Sequence, residues 1–418
     1  VVAVVLPALA AWRLIPASSP FDPDRLMADI RTYQSFGVHR TASSGDRRTS
    51  EWLSDRFREA GLETSHHTWT LRQFSVEKAS IEDARGLVPA FPVWLPKATG
   101  AAGVRGRLVR LDANTPLAEL AGAVAWIPSA GTPGGLSREA WEKRAVDNGA
   151  VAMVVATSDT AGTGHLAAEN AVRRYVGIER PVPTLVFGKA DAPRLGESLG
   201  RNVTVHLDGH MDEAATAVNV LGRLVRHAEA DWLIVSTPSS GWFACGGERG
   251  PGIAILLALV EWASRRGGRL NYLFVATSGH ELDQLGARVL HEARLAPPPE
   301  KTRAWLHLGA SLATPRWHDV DGVLRRGDRV TSGMLQATPD LAPVLQRAFV
   351  ELPMFTMRTD TRIGEYRDLV ENGYRGLGVL GGDNPWLHVE RDDPGTVLAP
   401  TLSAVARATA AALAVLDP

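Results

Sequence analysis

Cysteine is almost missing from this chain: Cys245 stands alone among 418 residues. One thiol cannot close an internal disulfide, so stability has to come from a buried core. A surplus of charge is missing too. Lys and Arg number 45 against 46 Asp and Glu, which excludes the net field that draws a chain to nucleic acid or an anionic membrane. Internal repeats and low-complexity tracts are absent. One apolar run opens the chain at 1–12, followed by Arg13 and a Pro/Ser-rich piece at 16–20. It is too short for a bilayer, which needs about 20 apolar residues, and matches a truncated signal or anchor segment of roughly 7–15 residues. That reading puts the domain outside the cytoplasm, as a secreted, periplasmic or membrane-anchored protein; an ordinary buried strand or helix is the other reading. No stable membrane span is expected in the body of the chain.

What is present reads as two domains. A length of 418 with 45% hydrophobic and 22% charged residues is globular and too long for one ordinary domain. Asp22 followed by Pro23 predicts a helix start, a capping side chain before the proline favoured in a first turn. A second helix is predicted over 46–60, with Trp52, Leu53, Phe57 and Ala60 on one side and Gly61 as its stop. Residues 63–81 alternate as a strand does. From about 84 to 208 the texture shifts to short Val-, Gly- and Pro-rich segments, with strands at 122–127, 150–156 and 182–187 and a helix over 137–149.

From 218 onward strand and helix alternate: strand 232–237, helix 252–265, strand 270–277, a helix after 282, strand 303–308 and a closing helix at 400–416. The rhythm predicts an α/β fold, a mostly parallel mixed sheet sandwiched by helices, with a smaller β/α domain inserted. The expected division is 1–20, 21–83, an insert over 84–210, and 211–418. Such sheets bind ligands outside the carboxyl ends of their strands. Unusual polar residues gather there: Thr237, Ser239 and Ser240, then His280 and Glu281, then His307, then His388 after the strand-like 376–380.

In order and spacing these segments resemble the zinc aminopeptidases, a group that includes the glutaminyl cyclases and often carries a protease-associated domain. Residues 45–61 look like that family's opening segment and 84–208 like its protease-associated insert. Val218-Asn219-Val220-Leu221-Gly222 looks like the lead into the catalytic sheet, 248–254 like the turn into the first long helix, 278–287 like the double-glutamate loop, and 385–393 like the terminal His-containing loop. The resemblance implies two bridged zinc ions with a glutamate base, and metals about 3.5–4 Å apart activate water and hold the oxyanion. Residue by residue, the pattern changes. Thr237-Pro238-Ser239 stands in place of His-x-Asp. Glu248 replaces the bridging aspartate and is followed by Arg249. His280 takes the base position, Glu281 keeps the adjacent ligand, His307 replaces an aspartate ligand and His388 keeps the last. Trp386 precedes it where an aromatic wall is common, and Glu365 and Tyr366 replace an Asp-His pair that shapes the pocket.

Three readings follow. The leading expectation is a hydrolase of the aminopeptidase type, acting on a peptide or small amide, with one zinc on Glu248, Glu281 and His388, His307 as a fourth ligand and His280 as base. The glutaminyl cyclases work with one zinc at the three corresponding positions, so a cyclase-like transferase belongs to this reading. The second is a metal-free site in which Arg249 supplies the positive charge and pairs with Glu281, with Thr237, Ser239, Ser240, Cys245 and His280 nearby. Cys245 activated by His280 is then a nucleophile, against its usual role as a small buried apolar residue. The third is a non-catalytic scaffold that binds through its pocket or insert. Trp242 and Trp386 are substrate walls or packing, and the insert is expected to cover the sheet edge and favour small or chain-end substrates. Oligomeric state is not set by the sequence.

Overall fold

The computed structural model describes residues 19–128, 137–158, 162–321, 323–330 and 332–418. The apolar opening at 1–12 lies outside them. Asp22 accepts the N–H groups of Asp24 and Arg25 and starts α1 (Pro23–Ser35), whose Leu26, Ile30 and Tyr33 are buried. α2 (Ser44–Glu59) begins two residues ahead of the expectation because the Ser43 hydroxyl caps the N–H of Asp46 at 3.3 Å. Then come β1 (Glu63–Asp83), β2 (Gly86–Pro92), β3 (Val104–Arg110), β4 (Val124–Trp126), α3 (Arg138–Asp147), β5 (Ala152–Thr157), β6 (Thr184–Gly188), α4 (Ala192–Gly196) and β7 (Asn202–Leu224).

The second half alternates as predicted through β8 (Trp232–Pro238), α5 (Gly250–Arg265), β9 (Asn271–Thr277), α6 (Leu285–Glu292) and β10 (Thr302–Leu308). A stretch without a clear sequence signal follows: the hairpin of β11 (Pro315–Val320) and β12 (Val323–Val330), then β13 (Gly333–Ala337), α7 (Ala342–Ala348) and β14 (Phe355–Arg358). α8 (Glu365–Glu371), β15 (Gly376–Leu380) and α9 (Ala399–Leu416) close the chain.

Among the described residues thirteen strands form one mixed sheet in the order β1-β2-β6-β5-β4-β3-β7-β9-β8-β10-β15-β13-β14. β1 and β7 are its spine, antiparallel from the Glu63/Arg223 pair to Glu82/Thr204. β9, β8, β10 and β15 are parallel neighbours, so Thr277, Pro238, Leu308 and Leu380 all end at one edge. Both faces of these strands are covered. On β8, Leu233 and Val235 join the core with α1, α5 and α9, while Ile234 points to the opposite face with Leu290, Tyr366 and Leu369. α5 is apolar on nearly every side because it is buried on nearly every side. α9 is long and apolar enough to cross a membrane by composition, but it packs against α1, α5 and α7 as a core helix.

Candidate functional site

The loops that leave the parallel strands are tied to one another by their hydroxyls. Thr237 Oγ1 donates to the Leu308 carbonyl at 2.9 Å, and Ser239 Oγ and N–H donate to the Thr277 carbonyl at 3.1 and 2.8 Å. Both side chains are buried and satisfied by backbone. Their expected catalytic role is therefore corrected: they stitch β8 to β10 and β9. Ser240 is the residue that reaches the site. Its hydroxyl donates to Glu281 Oε2 at 2.8 Å and accepts the N–H groups of Gly279 at 2.9 Å and His280 at 3.2 Å.

Glu248 is placed by a carboxylate that the sequence reading missed. Asp392 Oδ2 accepts the N–H groups of Gly247 at 3.0 Å and Glu248 at 2.7 Å, holding the start of α5 against the terminal loop. The approach is so close that a Cβ at Gly247 would meet Thr396 Oγ1 at 1.8 Å. Burial and the neighbouring Glu248 charge push Asp392 up to about 8.

Arg249 lies at the centre. Its Nη2 is 2.7 Å from Glu281 Oε1 and 2.9 Å from Glu248 Oε1, and its Nε donates to the Ser240 carbonyl at 3.0 Å. His388 completes the group, with Nε2 3.4 Å from Glu248 Oε1 and Nδ1 3.1 Å from the Ala168 carbonyl oxygen. Burial alone raises a carboxyl, but the Arg249 and His388 charges overcome it and hold Glu248 well below the usual carboxylate range. Burial likewise lowers the His388 imidazole, and Glu248 with Glu281 more than reverses that, so its pKa lies above the ordinary value. Two carboxylates thus face one guanidinium and one imidazole that favours its charged form.

A second chain of contacts runs beside this one. Thr277 Oγ1 donates to Glu365, with the oxygens at 2.8 and 3.0 Å, and Glu365 Oε1 lies 3.1 Å from His280 Nδ1. An imidazole gripped by a buried carboxylate has a fixed ring orientation. His280 and His388 keep 15% and 17% of their side-chain surface exposed, whereas Glu248, Arg249 and Glu281 keep no more than 3%.

The remaining expectations separate. His307 is not gathered with the carboxylates as a fourth ligand: Ser236 Oγ lies 3.1 Å from its Nδ1, and burial lowers its pKa to about 4. Tyr366 is core, packed over Gly376 and Gly378 rather than lining a pocket. Trp242 is fully buried against Phe91 and Trp94, so it joins two parts of the fold and is no substrate wall. Cys245 is buried and packed against Gly241, and burial raises its thiol well above the ordinary range. That disfavours the thiolate a nucleophile needs, and the burial matches the role of a small apolar residue. Trp386 is half-buried, stacked on His165 at 5.5 Å and edge-on to Trp317 at 5.6 Å.

No protein-family model and no curated protein sequence matches this chain. Solved structures do. BSAP, a zinc aminopeptidase from Bacillus subtilis, superposes with a TM-score of 0.77 at 14% identity, covering 96% of this chain and 97% of that one. A peptidase M28 precursor from Shewanella amazonensis gives 0.70 at 17% identity over 95% and 92%, and an aminopeptidase from Aneurinibacillus sp. strain AM-1 gives 0.67 at 13% over 95% and 94%.

Zinc is what the first of these names implies, and the donors here do not fit it as arranged. An ion bonded to both glutamates would need oxygens at about 2.0–2.2 Å. Arg249 Nη2 stands between those oxygens at 2.7 and 2.9 Å. Among the described residues no group of three or more His, Cys, Asp and Glu side chains is arranged to hold a metal ion. The fold is that of the zinc aminopeptidases, a mixed α/β sheet flanked by helices, built here around a guanidinium-centred cluster.

Proposed function

We propose that this protein uses the aminopeptidase fold to bind peptides or small amides at its strand-end site, without a metal ion and without hydrolysing them. The position of Arg249 carries this reading. Two buried glutamates need a cation, because uncompensated buried charge is costly, and Arg249 supplies it at 2.7 and 2.9 Å. Zinc on Glu248, Glu281 and His388, the leading expectation from sequence, would require the guanidinium to leave. The hydroxyls of Thr237 and Ser239 agree with the proposal, since both are spent on backbone carbonyls where the family's His-x-Asp would stand. The ligand class is taken from the neighbours, which are named as aminopeptidases and a peptidase. The partly open edges of His280, His388 and Trp386 offer polar and aromatic contacts for it.

One observation favours a second reading, a metal-free acid–base enzyme. The Thr277–Glu365–His280 chain orients an imidazole that is still partly exposed, as a general base requires. Elemental analysis of the purified chain, with a panel of aminoacyl and pyroglutamyl-forming substrates and calorimetric peptide titration, separates these readings. Peptide binding without stoichiometric zinc or turnover is expected. Turnover that survives chelator and is lost in His280→Ala would select the second reading. One zinc per chain, with turnover that chelator removes, would sink both.

A further inference from the structure

The strand-end site is crossed by a piece of the chain's own backbone. Residues 165–173, between β5 and β6, reach it partly as an irregular segment and pair with two of its loops. The Ala168 N–H donates to the His388 carbonyl at 2.9 Å and the Ala171 N–H donates to the Glu281 carbonyl at 2.8 Å. The Ala168 carbonyl oxygen in turn faces His388 Nδ1 at 3.1 Å. Ala167, Ala168 and Ala171 are buried in the contact. Side chains fasten the flanks: Trp242 Nε1 donates to Asn170 Oδ1 at 3.0 Å, Arg173 Nε to Asp283 Oδ2 at 2.7 Å, and Arg138 Nη1 to Glu169 Oε1 at 3.2 Å.

We infer that the rim of this site is a receptor for peptide main chain, and that residues 165–173 are its resident occupant, so that a peptide pairs with Glu281 and His388 only when this segment lifts. The inference rests on the binding role proposed above and names its ligand class and its control. The recognition is of backbone: the Glu281 carbonyl on one loop, and the His388 carbonyl and ring nitrogen on another, meet two N–H groups and one carbonyl. Main-chain pairing of this kind supplies affinity in strand-type peptide recognition, with side-chain pockets left to select. The three buried alanines suit a rim with room for small side chains. Tethering then decides the competition. A segment held in the same chain acts at an effective concentration on the order of millimolar, so a free peptide of equal affinity binds the parent only weakly until the segment is released.

The test uses two variants of the full chain. Ala168→Pro/Ala171→Pro removes both N–H donors, because proline carries none. Asn170→Ala/Arg173→Ala cuts the side-chain ties and leaves the backbone intact, which covers the case in which the proline variant does not fold. The first readout is the rate at which diethyl pyrocarbonate modifies His280 and His388, mapped by mass spectrometry. The second is binding of a fluorescent synthetic peptide with the sequence of residues 165–173. Histidine modification should rise about two- to twelvefold per hydrogen bond lost, and the labelled peptide should bind the variants more tightly than the parent by a similar factor. Unchanged histidine reactivity in variants with native circular dichroism overturns the inference. So does a rise in reactivity without peptide binding, since the rim is then no receptor. If unrelated peptides bind the parent as tightly as the variants, the general peptide-binding reading stands and this inference falls.

Discussion

Two ion clusters in this molecule are built as inverses. At the strand ends one arginine, Arg249, is held by two glutamates at 2.7 and 2.9 Å. Beside the site one glutamate on α3, Glu142, faces three arginines, Arg180 at 2.9 Å, Arg138 at 3.0 Å and Arg174 at 3.5 Å. They differ in their connection to solvent. Arg174 is 44% exposed and also reaches Glu139 at 3.6 Å, while Arg138 extends to Glu169. Charge around Glu142 can be shared with water and with other carboxylates. In the Arg249 group the guanidinium and both glutamates are no more than 3% exposed, and among the described residues the one link to solvent is His388, 17% exposed and 3.4 Å from Glu248 Oε1. The same chemistry therefore has different vulnerability: a closed cluster fails when one member is removed, whereas an open one loses only part of its strength.

The largest effect is expected from Arg249→Met, which fills similar volume and leaves Glu248 and Glu281 without their cation. Loss of one partner from a buried pair costs about 3–5 kcal/mol, to be read as a drop in unfolding free energy by urea titration. Zinc sharpens the comparison. It should stabilise Arg249→Met, where Glu248, Glu281 and His388 become available as donors, by binding only the folded form, and should leave the parent unchanged. Zinc stabilising the parent equally would break the argument that the guanidinium holds the cation position. Glu142→Gln should cost less, about 1–3 kcal/mol, because Arg138 and Arg174 keep Glu169 and Glu139 and buried Arg180 keeps the Trp94 carbonyl at 3.4 Å. An equal loss in both variants would show that solvent connection does not govern these clusters.

Much of the large-scale design is legible in the sequence, for physical reasons. β9 is buried at every position, so it reads as a short continuous apolar run, and α5 and α9 read as long apolar helices. The hairpin of β11 and β12 does not, because β12 is largely exposed, and β14 is four residues long, too short for a period to show. At the site, the ion pairing of Arg249 with Glu281 follows from placing a cation next to Glu248. Asp392 gives no such signal. It acts by accepting backbone N–H groups 144 and 145 positions away, and any acidic loop residue looks the same in sequence. Trp242 is core for a similar reason, since the rings of Phe91 and Trp94 that bury it come from a distant segment, whereas Tyr366 is covered by Gly376 and Gly378 of the strand that follows it.

Asp392 marks the next difference between the clusters, one that pH exposes. Its folded pKa of about 8 lies above the ordinary 3.8 it regains on unfolding. The folded protein therefore keeps a proton that the unfolded chain releases between these values. Its contribution to stability is full below about pH 4 and drains as pH rises through 8, with a slope of at most about 1.4 kcal/mol per pH unit. Asp46, raised to about 7, acts in the same direction, whereas His39 and His307, lowered to about 4, oppose it in the acidic range. Urea titrations across this range on the parent and Asp392→Asn cancel those shared contributions. A smaller slope in Asp392→Asn is expected, and parallel curves would mean that Asp392 is ionised beside Glu248.

The smallest effect is the most pointed, because it asks whether Thr237 belongs to the ligand site or to the frame beneath it. Thr237→Val keeps the shape and removes the hydroxyl that donates to the Leu308 carbonyl at 2.9 Å. A lost intramolecular hydrogen bond of this kind costs about 0.5–1.5 kcal/mol, so a modest fall in stability is expected. Peptide affinity should stay the same once folding is complete. The hydroxyl is buried, its hydrogen is committed to a neighbouring strand, and among the described residues no hydrogen bond joins it to Arg249, Glu248 or Glu281. Lost binding at full folding would return Thr237 to the site where the sequence first placed it. Retained binding would assign the end of β8 to holding three strands together, and leave recognition to the loops that follow.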